Sequence, residues 1–569
     1  MTTIIAENAK AAALFAQATN SQELGFRQYR GQDYIIVWTG GIPFNQKATV
    51  NEKGHVQQEL TDEQAAWFTI IKIAVSVSDH VYVATDTRDS ACWLITFMSS
   101  KELFDKVTRI HVREMTVKGV RESFQQVEDT VEFIEKMLSD IFRKQHDAKL
   151  SEATDRLITK ACGTDTYRLG RIRTPLLAMI AQRFKNWHDT EPMAEYRVHF
   201  ALEHQGKVFR FASDQSWDNP KEANEAYIRL KTTEEPAIIT HVSCGLHTEK
   251  APRLFNMTTL MRTANERYGL TLEQIATSAK RLYEWGLISY PFTGADHISI
   301  RKVRKIRQLL CFLHDHETLG ASANRIDRLS TNSLKRCSCR GHHGIMITGM
   351  KLGPIALKMN YADKLIYNLI CTRMVEAFSP SALTQTVTAR AMAADLSFSL
   401  EESYTLHRGW KSVADKNIKK EAPLENELLW PTWSKVKYQA VSITKRNVKA
   451  KKPYGEGELL DEALSATLGT GTEAMNALKE LIDEGYVYRS EEGLKPTEKG
   501  LALYAIVKGQ SIADIDMMST LERYIIKGGN EGIEDDTRYL HKLDVYDKAV
   551  TELAESPMLF PNKQKNMLN

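Results

Sequence analysis

The chain changes its pattern twice. Between Tyr196 and Ile239 apolar and polar residues alternate, as in YRVHFAL from Tyr196 and KVFRFAS from Lys207, and the same style returns from Thr384 to Glu401. Alternation of period two marks strands with one buried face. The two separated β-rich halves are therefore expected to form one discontinuous domain, with the segment between them inserted as a unit of its own.

Inside that insert lies the string KRLYEWGLISYPFTGADHIS, from Lys280 to Ser299. Upstream, Thr271 and Gln274 have the spacing of a capping box, and Leu272, Ile275, Ala279 and Leu282 fall on one face of the helix that follows. Gly286 ends that helix. Leu287 to Ser289 read as a short strand that Pro291 stops, so Tyr290 sits where the backbone changes course. A tyrosine at a strand end is ordinarily a packed aromatic with a wet hydroxyl. The same position also gives a reactive side chain its exit.

The N-terminal part opens with a strand over Ile4 to Ala6 that ends at Glu7, followed by an alanine-rich helix. HVYVAT, from His80 to Thr85, is a second strand with Asp86 just beyond it, and RIHVRE, from Arg109 to Glu114, is a third. Parallel α/β sheets gather the carboxyl ends of their strands at one crevice, and two carboxylates there point to a divalent metal. Further on, RLGRIRTPLLAMIAQR from Arg168 to Arg183 predicts a helix with Thr174 as N-cap, Pro175 at the first position, and Leu176, Met179, Ile180 and Phe184 on its buried face. Arg171 and Arg173 then flank a helix N-terminus, an arrangement suited to phosphate. Tyr361 to Phe378 reads as an amphipathic helix. Leu459 to Tyr488 runs helix, turn, helix and strand, with GLKPTEKG as a wing that echoes the arrangement before Tyr290.

At 569 residues the chain has room for three or four domains. Its net charge of +3 excludes an overall field as the reason for binding nucleic acid, so local patches must carry that function. Candidates are Lys445 to Lys452 and the cluster Arg325, Arg328, Lys335, Arg336 and Arg340. The seven cysteines do not form a secreted disulfide framework, which fits a reducing cytoplasm. No window has the length and apolarity of a membrane span or a signal peptide. Cys337 and Cys339, one residue apart beside His342 and His343, lack zinc-site spacing, and no zinc is expected.

Several of these strings resemble, in collinear order, those of type IA DNA topoisomerases, nearest the topoisomerase III branch. LYEWGLISYPFT stands where that family has LYExGLITYPRTDS, and KAPRLFNMTTLMRTANERYG resembles its lead-in. IIAENAK and VYVATD resemble the start and acidic strand of a TOPRIM domain. RLGRIRTPLLAMIAQR resembles SxGRVQTPTLALIxxR, HHGIMIT resembles HHAIIPT, YADKLIYNLICTRMVEAF resembles ERKLYDLIxxRF, and GTEAMNA stands for GTxxTRA. Gly409-Trp410 also has a counterpart.

The resemblance implies a multidomain α/β plus α+β protein, a toroidal clamp made of a TOPRIM domain, winged-helix-like domains and a β-rich arch. The implied domains are 1–147 (TOPRIM-like), 148–190 plus 436–569 (helical and winged-helix-like, binding single-stranded DNA), 191–255 plus 384–435 (the arch and hinge), and 256–383 (carrying the tyrosine). By position Tyr290 is the nucleophile that holds a 5′ phosphate covalently, reseals without ATP, and lets another strand pass. Glu7, Asp86 and Asp89 are the implied Mg2+ ligands, with Glu7 and Lys10 also placed at the catalytic centre. His342 would contact the scissile region, and Arg168, Arg171, Arg173, Thr174, His343, Arg373 and Thr472 would meet DNA. The partner implied is single-stranded DNA, with RNA left open, and a cytoplasmic monomer in a nucleoid, plasmid or phage setting is expected.

Departures are specific. The acidic motif runs Asp86-Thr87-Arg88-Asp89-Ser90, at least one carboxylate short of the family's. Phe292, Gly294 and Ala295 replace its arginine, aspartate and serine, and Asn476 replaces a second arginine. They motivate the alternative of a catalytically weakened clamp acting as an accessory factor.

Overall fold

The computed structural model describes residues 1–25, 27–39, 66–85, 106–125, 127, 167–204, 206–336, 342–415 and 430–523, with the backbone alone of 49–50, 56–57, 62–65 and 524–530. Asp86, Asp89, Cys337, Cys339 and Arg340 lie outside the described residues.

The N-terminal part is a six-stranded α/β sheet. Its elements are β1 (Thr2–Ala6), α1 (Ala9–Thr19), β2 (Gln22–Gly25), β3 (Gln28–Arg30), β4 (Tyr34–Trp38), α2 (Asp62–Ser76), β5 (His80–Ala84), β6 (Val107–Arg109) and α3 (Val117–Ser123). The strand order is β2-β3-β4-β1-β5-β6, and β1 runs parallel to both β4 and β5. Ile4, Ile5, Ile36, Val81 and Val83 are fully buried, as strands covered on both faces require. Ala6 pairs with Ala84, so Glu7 and Thr85 follow side by side at the carboxyl edge. The third strand is shorter than its sequence predicts. It stops at Arg109, and the Ile110 N–H still donates to the Val83 carbonyl (3.0 Å), but residues 111–115 leave the sheet.

After α4 (Arg173–Asp189) the chain enters the arch through β7 (Met193–His204), β8 (Lys207–Ser213), α5 (Pro220–Thr232) and β9 (Ala237–Glu249). The insert follows, with α6 (Met257–Tyr268), α7 (Leu272–Glu284), α8 (Val303–Phe312) and α9 (Tyr361–Phe378). The arch then resumes in β10 (Ala382–Ala393), β11 (Leu396–His407), β12 (Lys435–Val436) and β13 (Gln439–Val448). All seven strands form one sheet, β12-β9-β10-β11-β8-β7-β13, so the two halves do share a sheet. It also takes Gln439–Val448, past the expected boundary at 435. Where the insert leaves and returns, Glu249 is paired with Ala382. The arch has its own core, in which Phe200 stacks on Phe211 (5.0 Å) and packs against Phe398, with Trp430 closing over Phe209 and Phe211.

A second core joins the N-terminal sheet, α4, the insert and the C-terminal part. The latter comprises α10 (Glu456–Ser465), α11 (Gly471–Asp483), the antiparallel pair β14 (Val487–Ser490) and β15 (Gly493–Pro496), α12 (Glu498–Val507) and α13 (Ile515–Asn530), the winged-helix pattern read from sequence. It docks on the insert by polar pairs: Arg262 with Asp461 (2.7 Å), the Leu272 N–H donating to Glu456 (2.8 Å), and the Gly457 N–H donating to Asn265 (3.0 Å). α9 has the predicted bounds, with Tyr361, Lys364 and Asn368 exposed and Ile366, Tyr367, Leu369 and Ile370 buried, and its last turn is buried all round. Residues 374–378 are all buried, Glu376 among them, because the insert closes around its end.

Candidate active site

The tyrosine turn is built as its sequence requires up to Gly286. Thr271 and Gln274 cap α7 reciprocally, the Thr271 N–H donating to the Gln274 side chain (3.0 Å) and the Gln274 N–H to the Thr271 hydroxyl (3.2 Å). Leu272, Ile275, Ala279 and Leu282 are buried. Gly286 has φ +75°, and a Cβ there would lie 2.8 Å from the Met115 carbonyl oxygen, so glycine both reverses the chain and permits a close approach. Leu287 to Ser289 do not form the expected strand. Ile288 makes one isolated bridge to Ile347, and Pro291 leaves no room for a ladder.

Residues 112–115, freed from the first sheet, receive the turn. The Tyr290 N–H donates to the Arg113 carbonyl (2.9 Å), and the Tyr283 hydroxyl donates to the Val112 carbonyl (2.7 Å). Tyr290 is thereby docked against the N-terminal domain, only 6 % exposed. His342 lies face-on to its ring, with centroids 4.0 Å apart and planes 24° from parallel, and His111 meets His342 edge-on at 4.9 Å. Tyr283 (5.4 Å) and Phe292 (5.9 Å) enclose Tyr290 edge-on. Phe292 presents an aromatic edge where the family pattern has a cation.

Behind this stack, His343 shares a cavity of about 20 Å3, room for roughly one water, with His111, Arg113, Glu114, Lys302 and Lys305. Its Nδ1 is 2.7 Å from the Gly344 carbonyl. Lys305 pairs with Glu114, and Lys302 with Glu122 (3.0 Å), so ion pairs seal the N-terminal domain to α8 and its approach. Burial pushes His343 down to about 3, and burial with the nearby charges of His111, Arg109 and Arg113 holds His342 well below the usual histidine range. Both rings are neutral near pH 7. A histidine held below its unfolded value stabilises fully above about pH 6.5, and that stability is lost as pH falls toward its folded value, by about 1.4 kcal/mol per pH unit. Urea midpoints are accordingly expected to drop between about pH 7 and pH 5, and to drop less steeply in His343→Asn. Equal slopes would refute this account.

At the carboxyl edge of the first sheet, Glu7 is half-buried and its carbonyl accepts a bond from the Thr39 hydroxyl (2.8 Å). Lys10, in the first turn of α1, is lowered by desolvation and feels Glu284 and Lys358, which places α1 beside the end of the tyrosine helix. Among the described residues no three His, Cys, Asp or Glu converge as a metal site. Glu7 and the end of β5 are nonetheless adjacent, so the segment entering Asp86 starts beside Glu7.

The expected DNA contacts fare differently from one another. The strings around Arg171 and Thr472 do come together, but mostly through internal pairs. Arg171 is buried, its guanidinium bound to Glu522 and to Glu473 (3.4 Å), so it does not present charge to a phosphate. Arg173 contacts Glu480 and Glu484 and donates to the Leu169 carbonyl (2.9 Å). Thr174 is not the N-cap. The helix begins at Arg173, and the Thr174 hydroxyl instead accepts from the Gly170 N–H (3.0 Å). Arg168 has a largely exposed side chain 3.5 Å from Glu484. Thr472 is half-buried in the first turn of α11, whose cap is Thr470. Arg373 lies over the Phe255 ring (3.9 Å) and bonds Glu376 (3.0 Å). Sequence reasoning missed His111 and Arg113 as neighbours of the tyrosine. The signal was present, because alternation in Arg109-Ile110-His111-Val112-Arg113 puts three basic side chains on one face.

Comparison with known proteins agrees with this geometry. A family model described as DNA topoisomerase matches residues 134–529. DNA topoisomerase 1 of Methanocaldococcus jannaschii is 25% identical over 505 residues, covering 86% of this chain and 63% of that protein. DNA topoisomerase 3 of Bacillus licheniformis is 20% identical over 571 residues, covering 89% and 75%. The chain thus spans less than two thirds of the former relative. Full-length topoisomerase I from Thermotoga maritima superposes with a TM-score of 0.72 at 15% identity, over 96% of this chain and 90% of that one. Among the described residues no helix is long and apolar enough to cross a membrane. With the tyrosine turn docked on a TOPRIM-like sheet and an arch closed from both sides of the insert, the chain belongs to the type IA DNA topoisomerase family.

Proposed function

We propose that the protein cleaves and reseals one strand of single-stranded DNA through Tyr290, passing a second strand through the gap without ATP. The observation that carries this reading is the docking of Tyr290 by its own N–H onto Arg113, beside the carboxyl edge of the first sheet and against His342. In the forward step the Tyr290 oxygen bonds to phosphorus as the phosphorus–O3′ bond breaks. We assign His342, whose ring stacks on that of Tyr290, as the neutral acceptor of the phenolic proton, and the 3′ oxygen takes up a proton from solvent. Resealing reverses each transfer. Glu7, with Asp86 and Asp89, would hold Mg2+, whose charge would offset that of the phosphate. Arg168 and Thr472 are the DNA contacts best supported by exposure or position, and Lys10, exposed in the first turn of α1, belongs to the catalytic centre. Arg171, Arg173 and Arg373 act through the carboxylates they already hold.

Phe292 against the tyrosine ring favours one other reading, a clamp that binds a single strand without turnover. One experiment separates the two. Labelled single-stranded DNA is mixed with protein and Mg2+, then denatured. Label attached to wild type and absent from Tyr290→Phe is expected. Binding without attachment in wild type would establish the clamp instead.

A further inference from the structure

Resting on that reading, we propose that Arg113 supplies the positive charge that stabilises the Tyr290 phenolate and the five-coordinate phosphorus, from the N-terminal domain rather than from the tyrosine's own turn. A free phenol titrates near about 10 and attacks phosphorus poorly unless a cation stabilises the oxygen. Of the insert's described cations, Lys302 and Lys305 line the cavity behind the stack, and both are paired with N-terminal carboxylates, Glu122 and Glu114. Phe292 is apolar, and His342 and His343 are both held neutral by burial. Arg171 and Arg173 are turned to Glu522, Glu473, Glu480 and Glu484.

Arg113 is differently placed. Its carbonyl takes the Tyr290 N–H at 2.9 Å, which fixes the root of its side chain against the backbone of the tyrosine. Its side chain lines the cavity behind the ring stack, with His111 and His343. Its charge is felt at His342, whose ring lies on Tyr290. Arg109 is felt there too but is 2 % exposed, whereas Arg113 is half-buried and faces the cavity. The guanidinium stays protonated throughout and takes no part in proton transfer. Because the charge belongs to one domain and the phenol to another, the tyrosine is activated only while the two are docked.

The test is the rate of covalent attachment of labelled single-stranded DNA, measured against pH, in wild type, Arg113→Gln, Arg113→Lys and the double variant Arg113→Gln with Phe292→Arg. Attachment is expected to slow roughly a hundredfold in Arg113→Gln, with its alkaline rise moved to higher pH, to slow less in Arg113→Lys, and to recover in the double variant. Unchanged attachment in Arg113→Gln overturns the proposal. So does equal loss in the Gln and Lys variants with no recovery, which would mark a structural role. Wild type without attachment would fail the cleavage reading itself, a result distinct from either.

Discussion

His342→Ala is expected to slow covalent attachment of DNA by about a thousandfold while leaving single-strand binding within a few-fold of wild type. The imidazole covers one face of the Tyr290 ring at 4.0 Å and is itself held by His111. On the proposed mechanism, removing it takes away the neutral proton acceptor as well as the surface that orients the ring. His342→Phe separates the two contributions, since it restores a stacking face without a nitrogen. If proton transfer dominates, the Phe variant remains as slow as the Ala variant. Recovery in His342→Phe would show that the ring serves orientation alone, and an unaffected His342→Ala would remove this histidine from the mechanism.

The second large effect is on stability. Glu522→Ala is expected to cost roughly 3 kcal/mol, because it strands the buried Arg171 guanidinium with Glu473 as its described carboxylate partner at 3.4 Å. Arg171 and Glu522 have side chains 3% and 2% exposed, so water cannot replace the lost partner. Chemical unfolding monitored by circular dichroism reads this directly. The paired change Arg171→Met with Glu522→Leu, which removes both charges, should recover most of the loss. A Glu522→Ala protein as stable as wild type would contradict the burial of this pair.

The local code was legible wherever neighbouring residues set the outcome. Thr271 with Gln274, Gly286, the bounds of α9 and the alternation in both arch halves all act over a few residues, and each appears in the structure as read. What failed depended on partners far away in the chain. Arg171 looks like a phosphate ligand in its own sequence, yet Glu522 lies 351 positions away and claims it. The strand expected through Glu114 is cut at Arg109, and Val112 and Arg113 give their carbonyls to Tyr283 and Tyr290 instead. Thr174 fits a cap by type, but the helix starts two residues earlier than expected, with Ile172 as its cap, and the Thr174 hydroxyl takes the Gly170 N–H. The tyrosine and the His342 ring could be placed from sequence strings. Their electrostatic surroundings were missed, because the basic face that carries His111 and Arg113 belongs to a segment that otherwise reads as an ordinary strand.

Glu249 and Ala382 face each other on adjacent strands, so the insert leaves the arch and re-enters it at a single rung. Its chain connections to the arch therefore meet at one place, and any turning of the insert against the arch pivots there and must also break its pairs with the C-terminal part, such as Arg262 with Asp461. For the proposed cleavage, such a hinge would bring the tyrosine back to the strand end it had released.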